Sequence, residues 1–301
     1  MFHWDDLRIF LTVARTKRIA LAARSLDIDA TTIARRLNRL AEALDAQLFE
    51  QAGAERILTE RGMALLRHAE SVEEAALAAA VEVKGERYSL KGHVRLSVAE
   101  GFGTWILAPG LPAFQEQHPG IRLDIITASG FLNPSKREAD MAVMLARPQR
   151  GHLSVQRLAD YRLHLYASAD YLAGHGRPRG PAALHDHALV GYVPEFLFSP
   201  ELDYLDEVEA GLEAGLRSTS IAIQRQLILG GAGIGILPDF IVPPESGLVR
   251  VLEQEVEITR SFWLVTHHSL VKLARIKAVS DLLRRRVEAV LTPGGAKRGA
   301  R

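Results

Sequence analysis

Five residues in one short span have side chains suited to engaging a polyanion: Thr31, Thr32, Arg35, Arg36 and Arg39. A guanidinium group pairs with phosphate oxygens and donates two parallel hydrogen bonds to the edge of guanine, and hydroxyls add contacts to the backbone. The apolar residues of the same stretch, Ile33, Leu37, Leu40, Leu44 and Leu48, recur at steps of four, three, four and four. That spacing draws one apolar stripe on a helix, and the five polar residues fall largely off it, in the helix's first half. Asp29 stands just ahead, where its carboxylate can accept hydrogen bonds from the first turn. The pattern allows two readings, contact with duplex DNA or the ordinary solvated face of a surface helix.

The elements around this stretch favour the first. Residues 20–25 read as a short helix, with Ala20, Ala22 and Ala23 small enough for close packing, and residues 26–28 as a tight turn. Two helices joined by so short a turn, the second basic near its start, form a helix-turn-helix pattern. Residues 4–16 form a preceding helix with Leu7, Phe10, Leu11 and Ala14 on one side. Residues 49–51 and 56–58 read as two short strands about Gly53, a wing. Arg56 in that wing is a candidate contact to the DNA backbone or minor groove, or plain surface. Net charge over the 301 residues is only +1, but from Arg8 to Arg39 eight Lys and Arg stand against two acids. A basic zone in a near-neutral chain is the footprint of a DNA-binding module. From Glu42 to Glu86 ten acids outnumber four basic residues, so DNA contact should end near the wing.

Thr59 can cap a long helix running to about residue 84. Within it Leu65, Ala69, Val72, Ala76, Ala79 and Val83 alternate steps of four and three, a seven-residue repeat that favours packing against another helix. The expectation is a dimer seam; the alternative is a helix lying on its own domain.

Glycines at 85 and 92 break that helix, and strand and helix patterns then alternate. Strands are expected at 93–99, 121–127, 139–145, 163–167 and 262–266, and around 236–238. Helices are expected at 104–118, near Tyr171, at 218–229 and at 270–291. Alternation of this kind argues for an α/β domain with a mostly parallel sheet.

Composition excludes several classes. With 48% apolar and 24% charged residues the chain is ordinary for a globular protein, and the lack of cysteine rules out disulfides and cysteine-based zinc fingers. The opening residues, MFHWDDLRIF, carry acids where a signal peptide would be basic, and no run approaches 18 apolar residues, so a cytoplasmic protein without a membrane partner is expected. Gly230 to Gly235 (GGAGIG) follows a helix and enters a strand, the reverse of a dinucleotide fingerprint. His185, His187, His267 and His268 read as surface residues rather than metal ligands. No catalytic motif stands out, and neither an enzyme nor a cofactor is expected.

Over about residues 3–291 the chain resembles the LysR-type transcriptional regulators. The resemblance is carried by WDDLRIFLTVART, TTIARRLNRL followed by LDAQLFEQ, ILTERGMALLRHAE, READMAVMLARPQRGHLSVQRLAD, LYASADYLAGHGRP and GAGIGILPDF, in that order and spacing. It implies an α/β protein with a helix-dominated winged helix-turn-helix domain at 1–61 and a linker and dimerisation helix at 62–90. A two-subdomain effector-binding domain would follow at 91–293, resembling a periplasmic binding protein. Subdomain I would take about 91–164 and 266–293, subdomain II about 165–265, and 294–301 would be a disordered tail. By position it places DNA-contact roles on Thr31, Thr32, Arg35 and Arg36, with Arg39 and Arg56 as phosphate candidates. The chain departs from the family pattern at Asp29-Ala30-Thr31, where Ser-Gln-Pro is frequent, and at Ala34, Ala41 and Asp45, where Ser, Glu and Gly are usual. Asp tolerates the left-handed conformation a helix end demands, so the fold is not threatened at Asp45.

Ligands of such domains sit at the carboxyl ends of strands, against helix starts. Glu100, Gly101, Phe102 and Gly103 form one start, and Ser218, Thr219 and Ser220 the other; the alternative is that the Ser218 and Thr219 hydroxyls serve only as caps. The resemblance adds Ala128, Ser129, Ala146 and Arg147 as walls. Expected partners are promoter or operator DNA, a small-molecule effector, further copies of the chain as a dimer or dimer of dimers, and RNA polymerase. The alternative is a solute-binding or sensory module whose N-terminal helices make protein contacts.

Overall fold

Three helices open the chain: α1 (Trp4–Thr16), α2 (Ile19–Leu26) and α3 (Ala30–Ala43). Each ends where the sequence supplies a residue that can turn left-handed. Lys17 (φ 58°) and Asp27 (φ 53°) stop α1 and α2, and Asp45 (φ 46°) turns the chain after α3. Asp29 caps α3, its carboxylate accepting from Thr31 N and Thr31 Oγ1, each at 2.9 Å. Ile33, Leu37 and Leu40 are buried against Leu7, Phe10, Leu11 and Val13 of α1, and Phe10 meets Phe49 with ring centroids 5.2 Å apart. Each such side chain contributes about 1.5–3 kcal/mol of burial. The helix stops at Ala43, short of Leu44 and Leu48, yet both still join this core, Leu48 being 3% exposed. Strands β1 (Phe49–Ala52) and β2 (Glu55–Leu58) pair antiparallel about Gly53, whose φ of 59° suits glycine. Helix α4 (Glu60–Val83) follows, with Thr59 Oγ1 accepting from Gly62 N at 2.9 Å.

The computed structural model describes residues 2–83, 85–127, 138–148 and 153–292. The chain divides into two compact units, Met1–Arg87 and Tyr88–Arg301. The second is built on one curved sheet. Its elements in chain order are β3 (Gly92–Val98), a π-turn (Phe102–Leu107), α5 (Leu111–Gln117), β4 (Ile121–Ile126), β5 (Met141–Met144), β6 (Leu153–Ser168) and α6 (Ala169–His175). After these come β7 (Leu189–Gly191), α7 (Leu205–Val208), β8 (Leu216–Arg217), α8 (Ile221–Leu229), β9 (Ile234–Pro238), β10 (Leu248–Val251), β11 (Ile258–His267) and α9 (Ala274–Leu291). Among the described residues the strand order is β4-β3-β5-β11-β6-β9-β7-β8, with β10 also on β6.

The sheet is mixed, which corrects the expectation of a mostly parallel one. Pairs β3–β4, β3–β5, β7–β8 and β7–β9 are parallel; every pair made by β6 or β11 is antiparallel. The first ten residues of β6 carry polar side chains on both faces and lack clean alternation, so the sequence pattern reveals only the strand's second half. The helix expected over 104–118 is also broken. Pro109 and Pro112 lack the N–H that a continuous helix needs, and the chain passes from a π-turn through a 3-10 turn (Ala108–Gly110) into α5. Helix α9 covers the sheet with Ile276, Val279, Leu282, Leu283 and Val287 buried. Phe102 and Phe262 meet edge to face at 4.8 Å within the same core.

Candidate functional site

Two sets of side chains stand where sequence chemistry led. On α3, Thr31 and Arg35 are exposed and Thr32 half-buried, on the side away from the Ile33–Leu37–Leu40 stripe. Arg35 makes no ion pair among the described residues. Its neighbours do. Arg36 pairs with Asp5, and Arg39 grips Asp6 with both Nε and Nη2, at 3.0 and 2.6 Å. Asp6 is fully buried, so the Arg39 guanidinium compensates a carboxylate taken out of water. That bond raises the Arg39 pKa above its ordinary value. Arg56 is half-buried in the wing, and its backbone N–H donates to Lys17 O at 2.7 Å, tying the wing to the end of α1. The docking of α3 on α1 through Asp5 and Asp6 escaped sequence reasoning, because no local spacing links residues 31 and 33 positions apart.

In the second unit, the C-terminal ends of β3 and β4 face the start of α8 across a cavity of roughly 160 Å³. Glu100, Gly101, Thr127, Tyr192, Phe198 and Thr219 are among its lining residues. Glu100 points inward. One carboxylate oxygen accepts from Ser220 Oγ at 2.9 Å and the other from Ile221 N at 2.9 Å. A Cβ on Gly101 would stand 3.4 Å from Ile221 Cγ2, an ordinary van der Waals contact. The cap of α8 is Ser220, whose Oγ accepts from Ile223 N at 3.2 Å; Ser218 Oγ accepts from Ser220 N at 3.1 Å. The sequence marks Ser218, Thr219 and Ser220 together as this helix start and offers Ser218 and Thr219 as caps; the cap is Ser220, and three successive hydroxyls are all competent for the role.

The other candidates scatter. Phe102 lies in the core, 1% exposed. Ala146 and Arg147 are not among the cavity's lining residues, and the Arg147 guanidinium lies 5.7 Å from the Trp263 ring centroid. Ala128 and Ser129 fall outside the described residues. Tyr192 and Phe198 were not anticipated: they come from the loop after β7, a strand of three residues with no alternation to announce it. A neighbouring cavity of roughly 280 Å³ shares Tyr192 and Leu202 with the first. Burial lifts the Tyr192 phenol well above its ordinary pKa, with Tyr204 and Glu100 adding to the rise. The glycines of GGAGIG end α8 and enter β9; Gly233 has φ 151°, and a Cβ there would collide with the Ala188 carbonyl oxygen. His187 Nδ1 lies 3.3 Å from the Tyr171 hydroxyl, and His267 Nδ1 lies 2.7 Å from Ser269 Oγ.

Comparison with known proteins gives this geometry its context. Residues 4–63 match the bacterial regulatory helix-turn-helix protein model of the lysR family, and residues 88–288 match the LysR substrate binding domain. The chain is 30% identical over 268 residues to the Mau operon transcriptional activator of Paracoccus denitrificans, covering 89% of this chain and 90% of that one. It is 28% identical over 284 residues to the HTH-type transcriptional regulator CrgA of Neisseria meningitidis, covering 93% and 95% of the two chains. The solved structure of CrgA superposes with a TM-score of 0.59 at 26% identity, over 94% of this chain and 98% of that one. Among the described residues no helix is long and apolar enough to cross a membrane. A winged helix-turn-helix followed by an α/β effector domain, both matched in order along the chain, is the architecture of a regulator rather than of an enzyme or a free-standing solute-binding module. The chain belongs to the LysR family of transcriptional regulators.

Proposed function

We propose that this regulator reads operator DNA with the first half of α3, binds its effector in the cavity between Glu100 and the start of α8, and associates with further copies through α4. The observation that carries the DNA reading is the face of α3 opposite its buried stripe. Thr31 and Arg35 are exposed there and Thr32 is half-buried, while Arg36 and Arg39 are engaged by α1. Base and phosphate contacts then fall first on Arg35, with Thr31 and Thr32 beside it and Arg56 on the backbone. Along α4, Val72, Ala76, Ala79 and Val83 of the repeat are exposed, Val83 at 88%, which suits a seam awaiting a partner helix. By contrast Ala69 is buried within its own unit, so the seam should begin beyond it.

In this reading residues 1–61 bind DNA, 62–90 link and dimerise, and 91–293 respond to effector in the cytoplasm. The domain folds as two subdomains, 91–164 with 266–293 and 165–265, and transcription changes through contact with RNA polymerase. An effector alters regulation only by preferring one arrangement of the domain, since equal affinity for both shifts no equilibrium. A gel shift of the full-length protein on the DNA upstream of its own gene tests the central claim. Retardation that survives excess unrelated DNA is expected; binding no stronger than to random DNA would refute it.

A further inference from the structure

Among the described residues, the one charged side chain on the wall of the effector cavity is an acid, Glu100. The α8 start would ordinarily attract an anion through its unpaired N–H groups. Here the protein's own groups have taken three of those donors, Ile221 N–H going to Glu100, Ile223 N–H to Ser220 Oγ and Ser220 N–H to Ser218 Oγ, which leaves Ala222 N–H. A ligand carboxylate would meet a carboxylate already in place. Each carboxylate oxygen can accept two hydrogen bonds, and Ser220 and Ile221 use one apiece, so acceptor capacity remains toward the cavity. Tyr192 supplies a second polar group, because its hydroxyl makes no hydrogen bond among the described residues although burial keeps the phenol protonated. Its ring and that of Phe198 give the wall an apolar, electron-rich surface, which attracts a cation on its face.

We propose that the effector is a small organic ammonium ion with a short apolar group, its nitrogen donating to Glu100 and the Tyr192 hydroxyl and its hydrocarbon lying on Tyr192 and Phe198. This rests on the reading of the cavity as the effector site. An ammonium has three donors and no acceptor, the complement of a carboxylate with spare lone pairs, a phenol oxygen and the nearby Thr127 and Thr219 hydroxyls. Binding leaves the Glu100 bridge to α8 intact and adds a group held from both sides of the cavity.

Calorimetry on the full-length protein tests this with butylammonium and 2-phenylethylammonium chlorides, against pentanoate and 3-phenylpropionate. At least one ammonium ion should bind, and the carboxylate of the same skeleton should not. Glu100→Gln should weaken that binding about tenfold or more, the usual scale of a charge-assisted hydrogen bond, and Tyr192→Phe by a smaller factor. Carboxylates binding better than the ammonium ions, no ammonium ion binding at all, or an unchanged affinity in a folded Glu100→Gln would each overturn the proposal. If Glu100→Gln fails to fold, the contrast between the two ligand charges on the parent protein decides. The gel shift run on the same preparation separates the two claims. Lost operator binding counts against the regulator reading, whereas intact operator binding without ammonium binding overturns the ligand class alone.

Discussion

Arg35 and Arg36 are neighbours on α3, yet alanine at the two positions should have unequal effects on operator affinity. Arg35 is exposed and makes no ion pair among the described residues, so nothing has to be broken before it meets a base. A bidentate contact to guanine is worth about 1–3 kcal/mol, so Arg35→Ala should weaken binding about 5- to 150-fold. Arg36 starts from a bond with Asp5, in a pair whose side chains are 32% and 55% exposed. Surface pairs of this kind are worth about 0.2–1 kcal/mol, and Arg36 must give that up before touching DNA. Asp5→Asn removes the competitor. It should tighten operator binding by about 1.4- to 5-fold and, if Arg36 then reaches a phosphate, steepen the salt dependence by about one unit of slope. Fluorescence anisotropy on an operator duplex at four or five salt concentrations measures all three variants. Full affinity in Arg35→Ala, or no gain in Asp5→Asn, would refute the division of labour drawn from the ion pairs.

Other expectations follow from the same packing. Leu40→Ala, at a fully buried position on α3, should destabilise the N-terminal unit by about 2–5 kcal/mol in urea unfolding of the full chain. Arg39→Ala leaves Asp6 buried without its bidentate partner and should lower the melting temperature, whereas Arg35→Ala should not. Ala76→Glu puts a carboxylate twice into a symmetric α4 seam, so light scattering should show the dimer dissociating at concentrations where the parent stays paired. An equally firm dimer would place the seam elsewhere. Hydrogen bonds from Thr31 hold the Asp29 pKa below its ordinary 3.8, so the cap's contribution is full above that value and fades as pH falls through the lower one. Asp29→Asn should therefore flatten the acid end of a helicity titration.

Much of the DNA-binding unit was legible in the sequence, because helix caps, left-handed residues and a stripe at helical spacing are local signals. The period of Ile33, Leu37 and Leu40 even carried through Leu44 and Leu48, which join the same core after the helix has ended at Ala43. What stayed hidden depends on residues distant in sequence. Asp5 and Asp6 look like ordinary first-turn acids until α3 docks across them. Glu100 has no partner within its own stretch of sequence; Ser220 and Ile221, which it bonds, lie 120 and 121 residues on. Strand β6 was half visible, since its outer half mixes exposed Gln156, Arg157 and Asp160 with half-buried Leu153, Val155, Leu158 and Ala159 and shows no clean alternation. The parallel-sheet expectation failed because the short pieces expected at 163–167 and 262–266 do not announce their long antiparallel pairing.

Strands β6 and β11 run beside each other through the middle of the sheet, with ten paired residues from Ile258↔Leu163 to His267↔Leu153 and one irregularity between Phe262 and Trp263. Beyond them lie β5, β3 and β4 to one side, and β9, β7 and β8 to the other. Mechanically the pair is a torsion bar: each flank of the sheet is clamped to the same hydrogen-bonded ribbon, so the flanks cannot swing on slack connectors. A change in cavity width must be taken up as twist along this ribbon, and the irregularity between Phe262 and Trp263 interrupts its ladder. Phe262 also carries the stack with Tyr161, at 4.2 Å, and the edge contact with Phe102, two residues past Glu100. Twist at that point is therefore felt directly beneath the floor of the cavity.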